Sequence, residues 1–294
     1  MLYTPFFSII TVCYNSEKTI SDTIESVLNQ TYQNFEYIII DGGSTDGTLE
    51  IVKKYEPKFK GKLRWISKKD EGIYDAMNKG INLANGELIG IINSDDWYHY
   101  NSLEVLNNNY EEKVDIYYGN LYKIREIETK LYIKKINGNK LHLIKKIMSI
   151  PHPSCFVHKR WYKKIKFDTK YKINADYKFI LDSYIKKARF KYVDFPFSFM
   201  RIGGFSSISF KNNLIAGMKI QCEILGKKYC IVSIIVLSIN LLKCYFYEIR
   251  KQIALLILPK KITNLIKRRD DWEPFNEYYN KKLYYTRSIT RTKR

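Results

Sequence analysis

Apolar positions switch between two periods over the first hundred residues, the pattern of strands and helices alternating in a parallel sheet. Phe6–Val12 (FFSIITV) is a continuous apolar run of strand length. Ser16 stands where it can cap a helix whose Ile20, Ile24, Val27 and Leu28 share one face. Tyr37–Ile40 predicts a second buried strand, halted by Asp41-Gly42-Gly43-Ser44-Thr45-Asp46-Gly47, and Thr48–Tyr55 reads as the next helix. Leu63–Ile66 is a third, shorter strand. Ile73, Met77, Ile81 and Ala84 then recur at helical spacing, and Gly86 stops that helix before a fourth strand, Leu88–Ile92, which runs into Asn93-Ser94-Asp95-Asp96. Acidic residues therefore fall just past strand carboxyl ends at Asp41 and at Asp95-Asp96, along the edge where open α/β sheets bind ligands.

A helix is expected over Ser102–Tyr110. Beyond Gly119 the pattern changes to alternating segments near Tyr122–Ile127 and Leu131–Ile136, which predict an antiparallel ribbon and a mixed sheet. Ala175–Lys187 reads as a helix with Tyr177, Ile180, Leu181 and Tyr184 on one side; Phe190–Val193 and Phe197–Met200 read as strands, and Gly203-Gly204 opens a loop. The texture then shifts. Tyr229–Leu242 is uncharged over 14 residues, short of the roughly 20 that span a bilayer. Ile253–Leu258 ends at Pro259, followed by Lys260, Lys261, Lys267, Arg268 and Arg269. An apolar face with clustered cations suits an anchor on an anionic leaflet, and an ordinary helical hairpin packed on the main domain suits the same residues. The expected division is residues 1–210 as one α/β domain and 211–294 as a basic, apolar helical extension.

Composition narrows the function classes. The 294 residues are 45% hydrophobic with 14 Gly and 7 Pro, which excludes a collagen-like or largely disordered chain. A net charge of +20 implies an anionic partner without choosing among nucleic acid, an acidic membrane face and a phosphorylated substrate. The 40 Tyr and Phe residues are spread through apolar runs rather than interleaved in one basic patch, so no nucleic-acid partner is expected. Five scattered cysteines without a C-x-x-C predict reduced thiols, and the start MLYTPFFSIITVCYN, lacking a basic n-region and a small-residue cleavage site, predicts a cytoplasmic chain.

Two carboxylates at the end of a buried strand are costly unless something positive compensates them, and a hard divalent cation does so. Asp95 and Asp96 fit that role; taken alone, Ser-Asp-Asp is more often a turn or cap before the next helix. The Asp41–Gly47 loop lacks both the P-loop and the dinucleotide fingerprint, leaving Asp41 as an acceptor for a base or ribose.

As a set, SIITVCYN (Ser8–Asn15), IIIDGGSTDGT (Ile38–Thr48), DEGIYDAMNKGINLANGELIG (Asp70–Gly90) and NSDD (Asn93–Asp96) resemble the family-2 glycosyltransferases over residues 5–210. The resemblance implies the GT-A fold, a Rossmann-like mixed sheet flanked by helices. It also implies a nucleotide-activated sugar donor and inversion at the anomeric carbon. By resemblance Thr11, Val12, Tyr14, Asn15 and Asp41 hold the nucleoside, with Tyr14 flanking the base, and Asp75, Asn78 and Asp95 line the nucleotide pocket. Lys79 either neutralises diphosphate or is a solvated helix residue. NSDD is the metal motif, with Asn93 where the family carries its first acid, so Mn2+ or Mg2+ falls to Asp95 and Asp96. The family's base is a carboxylate in an E-D pair opening a helix; Asn174-Ala175-Asp176-Tyr177 occupies that context with Ala175 in place of Glu, which makes Asp176 the candidate base. His152 either contacts diphosphate or acceptor or is structural, and Gly203–Ser206 resembles the family's mobile segment.

The function so implied is metal-dependent transfer from a nucleotide-diphosphate sugar, a UDP-sugar in the leading reading. The acceptor is a glycan or lipid-linked molecule of a cell-surface polysaccharide such as capsule or lipopolysaccharide, and the enzyme sits peripherally on the inner face of the plasma membrane. The alternatives are a sugar nucleotidyltransferase and a basic nucleic-acid-binding protein.

Overall fold

Strands β1 (Phe7–Cys13), β2 (Phe35–Asp41), β3 (Leu63–Ser67) and β4 (Leu88–Asn93) alternate with helices α1 (Ile20–Leu28), α2 (Thr48–Tyr55) and α3 (Ile73–Leu83). The computed structural model describes residues 4–127, 130–203 and 210–226, with scattered positions from 229 to 249 and the pair 273–274. The four strands pair in parallel in the order β4-β1-β2-β3. Every residue of β1 and β2 is buried because helices cover both faces, so successive side chains enter two different cores. Ile10, Val12, Ile38, Ile40, Ile89 and Ile91 pack with Ala76, Met77 and Ile81 of α3. Phe7, Ile9, Tyr37, Ile39, Leu88 and Ile92 pack with residues of α1 and α2. Each such isoleucine contributes about 1.5–3 kcal/mol by burial. Helix α3 lies so close to β1 that a methyl group at Gly80 would meet Ile10 Cγ2 at 2.5 Å.

The Ser16 side chain does not cap α1. Its hydroxyl bonds to the Tyr14 carbonyl at 3.2 Å and to Ser94 Oγ at 2.8 Å, tying the end of β1 to the segment after β4. The N-cap is Thr19, without a side-chain bond.

A short β5 (Trp97–Tyr98) and α4 (Ser102–Asn108) lead into β6 (Ile116–Ile127) and β7 (Lys130–Ile136). The ribbon is as predicted, but β6 begins well before Tyr122. Then follow β8 (Cys155–His158), α5 (Lys159–Tyr162), α6 (Ala175–Ile185), β9 (Phe190–Arg201) and α7 (Phe210–Leu225). Strand β8 inserts antiparallel between β4 and β6, which makes the sheet mixed. The two strands expected at 190–193 and 197–200 are one: β9 runs through Pro196, which pairs with Asn120 where the β6–β9 register shifts, an irregularity that accommodates the missing N–H. A last strand, β10 (Glu273–Pro274), pairs antiparallel with β7.

Helix α7 falls in the segment assigned to the extension, yet Ile220 is fully buried in the core beside α3 and α6. Gln221 Nε2 donates to Tyr177 Oη and to the Lys146 carbonyl, both at 2.8 Å. The main unit thus continues to Leu225. The pieces Ile253–Leu258 and Lys260–Arg269, and Gly204–Ser206, lie outside the described residues. No helix among the described residues is long and apolar enough to cross a membrane.

Candidate active site

The parallel register brings Val12 opposite Asn93, Cys13 opposite Asp41 and Asp41 opposite Ser67, so the ends of four strands share one edge. Asp41 is fully buried there, and its carboxylate is occupied: Oδ2 accepts from Gly43 N at 3.0 Å, Ser44 N at 2.9 Å and Ser67 Oγ at 2.7 Å, and Oδ1 accepts from Ser44 Oγ. Burial opposes ionisation, but these donors outweigh it and hold the carboxyl below its usual range. The next amides are taken as well, Thr45 N by Asn15 Oδ1 at 2.8 Å, Gly47 N by Glu17 Oε2 at 2.9 Å and Thr48 N by Asp46 Oδ1 at 3.1 Å. These N–H groups, bonded within the loop or to Asn15 and Glu17 after β1, are not open to a phosphate as a nest would be. The loop is a rigid, acceptor-rich platform instead, with Asn15 in the left-handed region at φ 48° stapling it to β1.

Of the expected nucleoside segment, Tyr14 stands at the mouth, 63% exposed, whereas Thr11 and Val12 are inside the sheet, Thr11 accepting from Tyr37 Oη at 2.9 Å. The side chains of Thr11 and Val12 therefore do not reach the edge; only Tyr14 and Asn15 do. Asp70, which sequence reading passed over, belongs here: a methyl group at Gly42 would lie 2.7 Å from Asp70 Oδ2 and 3.5 Å from the Tyr14 ring. The available signal was its place just after β3, whose end adjoins that of β2.

At the end of β4, burial raises Asp95, and raises Asp96 well above the carboxylate range, where the neighbouring charge of Asp95 adds to it. Arg201 opposes both shifts; its backbone N–H donates to Asp96 Oδ1 at 3.1 Å while its guanidinium pairs with Asp22 and stacks on Trp97 at 4.7 Å. Asn93 Oδ1 is buried with no hydrogen-bond partner. Two carboxyls short of positive charge beside an orphaned amide oxygen fit a hard divalent cation, which takes one or two carboxylates and leaves further positions to phosphate oxygens and water. Asp96 is 2% exposed with one oxygen engaged, so Asp95, part-exposed, is the better presented of the two.

A second cluster forms across α3 and α6. Tyr74 Oη donates to Asp176 Oδ1 at 3.1 Å, and the Tyr74 ring packs on Phe167 at 5.7 Å. His152 meets the same Phe167 ring edge-on at 5.8 Å; burial lowers its pKa against the pull of Asp176. The structure thus gathers Asp176 and His152 as a pair and adds Tyr74. It engages the other α3 residues elsewhere. Asn78 donates from Nδ2 to the Phe167 carbonyl at 2.8 Å and accepts its N–H at 3.1 Å, so both ends of its amide are used. Asp75 pairs with Lys79 at 2.8 Å along the helix, which lowers its pKa and engages the lysine expected at diphosphate or solvent. Asp75 and Tyr74 also line a shallow cleft with Glu71, Thr169, Tyr171 and Lys172. Strand β8 runs antiparallel to β4 with Gly90 opposite Phe156, so Cys155 and the preceding His152 lie toward the carboxyl end of β4, and the charge of Asp176 acts on both.

The model of "Glycosyl transferase family 2" matches residues 8–204. GlyG, a glycosyltransferase of Streptococcus pneumoniae, is 35% identical over 127 residues, covering 42% of either chain, and GlyA of the same organism is 31% identical over 133 residues, 45% of this chain and 19% of its own. The chain thus spans less than half the length of these curated relatives. Among solved structures, S. aureus TarS 1-349 in complex with UDP-GlcNAc superposes with a TM-score of 0.57 at 21% identity, over 74% of this chain and 71% of that one. Mannosyltransferase PcManGT from Pyrobaculum calidifontis, in complex with GDP-Man and Mn2+, gives 0.60 at 16% identity, over 91% and 80%. The mixed sheet flanked by helices is their GT-A architecture. With the family model covering two thirds of its length, the chain belongs to glycosyl transferase family 2.

Proposed function

We propose that this glycosyltransferase moves a sugar, with inversion, from a nucleotide-diphosphate donor, a UDP-sugar, to a hydroxyl of a glycan or lipid-linked acceptor in cell-surface polysaccharide synthesis. The reading is supported by two unlike carboxylate sites, one short of positive charge at Asp95-Asp96 past the end of β4 and one held by a neutral donor at Asp176. Tyr14 and Asp70 receive the nucleoside, Tyr14 by stacking and Asp70 as an acceptor, while Asp41 and Asn15 hold the loop beneath them in place. Asp75 borders the same region; Asn78, Thr11 and Val12 act through the backbone they hold. Asp95, with Asp96 behind it, would hold Mn2+ or Mg2+, which when bound neutralises charge on the departing diphosphate. Asp176 takes the proton from the acceptor hydroxyl as that oxygen bonds to the anomeric carbon; the carbon–oxygen bond to the diphosphate breaks, and the nucleoside diphosphate leaves with the electron pair. His152 faces the same space and contacts acceptor or diphosphate.

Peripheral attachment to an anionic leaflet belongs to this reading. Ile231, Ile234, Ile235, Ile239, Leu242, Tyr245 and Phe246 are helical and exposed and recur at i, i+3, i+4 and i+8 from Ile231 onward, which puts them on one face. Residues 227–294 hold 16 Lys and Arg against 5 Asp and Glu. An exposed apolar stripe in a strongly basic segment supports contact with anionic lipid.

The test is thermal stabilisation by UDP, GDP and dTDP with and without Mn2+, on the wild-type protein and on Asp95→Ala/Asp96→Ala. A ligand that binds only the native state stabilises by mass action, about 2.7 kcal/mol at a hundred times its Kd. Mn2+-dependent stabilisation by UDP, lost in the double variant, is expected. Preference for GDP or dTDP would replace the donor, and pyrophosphate release on turnover would identify a nucleotidyltransferase instead.

A further inference from the structure

We infer that Tyr74 and Asn78, one helical turn apart on α3, are positioning residues for the Asp176 carboxylate rather than part of the nucleotide pocket. The inference rests on the reading of Asp176 as the base.

Three observations carry it. Tyr74 Oη reaches Asp176 Oδ1 at 3.1 Å from a helix 102 residues away in sequence, so the contact is built by the fold and not by local geometry. Residues i and i+4 lie on the same helix face, and the tip of Tyr74 reaches the first turn of α6 while that of Asn78 reaches the segment before it. Asn78 closes two bonds on the Phe167 backbone, and the Phe167 ring touches both Tyr74 and His152, at 5.7 and 5.8 Å. The amide therefore fixes the ring against which the tyrosine and the histidine rest.

Asp176 needs such a device. It occupies the first turn of α6, whose N-cap Asn174 is in the left-handed region at φ 63° and makes no side-chain cap bond; its amide donates instead to the Asn213 carbonyl at 2.7 Å. The Ala175 and Asp176 backbone N–H groups face the Tyr74 hydroxyl as well, so the phenol oxygen that donates to the carboxylate also meets the open first turn, and it selects one rotamer among those the carboxylate could adopt. Tyr74 remains the donor at any working pH, because burial and the adjacent Asp176 push its hydroxyl well above its ordinary range. A base displaced by about 1 Å from its proton loses much of its advantage, so the hydrogen bond acts on turnover and leaves donor affinity alone.

The experiment compares Tyr74→Phe, Asn78→Ala and Asp176→Asn. Turnover is nucleoside diphosphate release from UDP-glucose, UDP-galactose, UDP-N-acetylglucosamine, GDP-mannose and dTDP-glucose, with water or simple sugars as acceptor. UDP affinity in Mn2+ is measured on the same samples. Tyr74→Phe removes a single oxygen and keeps the ring on Phe167, so it folds whether or not Asn78→Ala does. The expected result is a tenfold or larger fall in kcat for Tyr74→Phe, with UDP affinity and donor KM within twofold of wild type, and the same split for Asn78→Ala. Wild-type kcat in Tyr74→Phe beside an inactive Asp176→Asn overturns this inference alone. Weaker UDP binding at unchanged kcat overturns the inference, returning Asn78 to the nucleotide pocket and adding Tyr74 to it. An Asp176→Asn variant at wild-type rate, or a wild-type protein that turns over none of the donors, removes the base reading and the inference with it.

Discussion

Glu36 is the buried carboxylate that fastens α3 to the sheet, and replacing it with Gln isolates the value of its charge. Oε1 accepts from Ser8 Oγ at 2.6 Å, Asn85 N at 2.5 Å and Gly86 N at 3.3 Å; Oε2 accepts from Arg64 Nη2 at 2.5 Å and Asn85 Nδ2 at 3.3 Å. These bonds join β1, β2, β3 and the turn after α3. In Glu36→Gln the remaining oxygen keeps its donors but the two short bonds become neutral, a loss of about 1 kcal/mol each. The new amide N–H faces the Arg64 guanidinium, and that ion pair, half exposed on the arginine side, adds less than about 1 kcal/mol. The sum, about 2–3 kcal/mol, lowers the melting temperature by roughly 4–12 °C in a unit of this size. The pH dependence has a definite sign. Burial by itself would raise Glu36, but the Ser8, Asn85 and Arg64 donors more than offset it, so the folded pKa lies below 4.5. Its contribution is present above the unfolded value and is lost as pH falls through the folded one. Urea denaturation from pH 7 to pH 3 should show a constant gap between wild type and variant above about pH 5.5 and a narrowing gap in acid. A variant within about 0.5 kcal/mol of wild type at pH 7, with parallel acid curves, would refute the reasoning.

Gly80→Ala should cost about 1–3 kcal/mol in urea denaturation, because the added methyl meets Ile10 in a core packed on both sides of β1; an unchanged midpoint would mean that α3 can move away from the sheet at little cost. Ile235→Glu/Ile239→Glu places two charges in the exposed apolar stripe and should abolish cosedimentation with phosphatidylglycerol vesicles while leaving UDP binding intact; undiminished pelleting would remove that face as the anchor.

The sheet edge was legible because β1, β2 and β4 are predominantly apolar runs of strand length, and parallel strands all end on the same side. Asp41 and the residues after Ile92 could therefore be put together from order alone. What strand order does not carry is the direction of a polar tip. Thr11 precedes the edge by two residues, yet its hydroxyl is taken by Tyr37 from the neighbouring strand inside the sheet. Asn78 sits in a motif that reads as nucleotide-lining, yet its amide crosses to a backbone 89 residues away. Strand β8 left no periodic signal because four residues, Cys155–His158, span too little chain for alternation to register, although their insertion between β4 and β6 is what turns the sheet mixed.

Tyr74 carries the sharper lesson. In a stripe of Ile73, Met77 and Ile81 a tyrosine counts as one more core residue, and its ring does pack as one, against Phe167. Its single oxygen is what differs: a buried phenol must find an acceptor, and the acceptor it finds is the carboxylate that the resemblance selects as the base. The pairing of Tyr74 and Asn78 at i and i+4 was the available clue, since two polar tips on an otherwise apolar face each require a partner on whatever packs there. Here the packing partner is the segment that carries Phe167 and Asp176, so a stripe that reads as core in sequence does double duty in space. It buries α3 on the sheet with its apolar residues and holds Phe167 and Asp176 with its two polar ones.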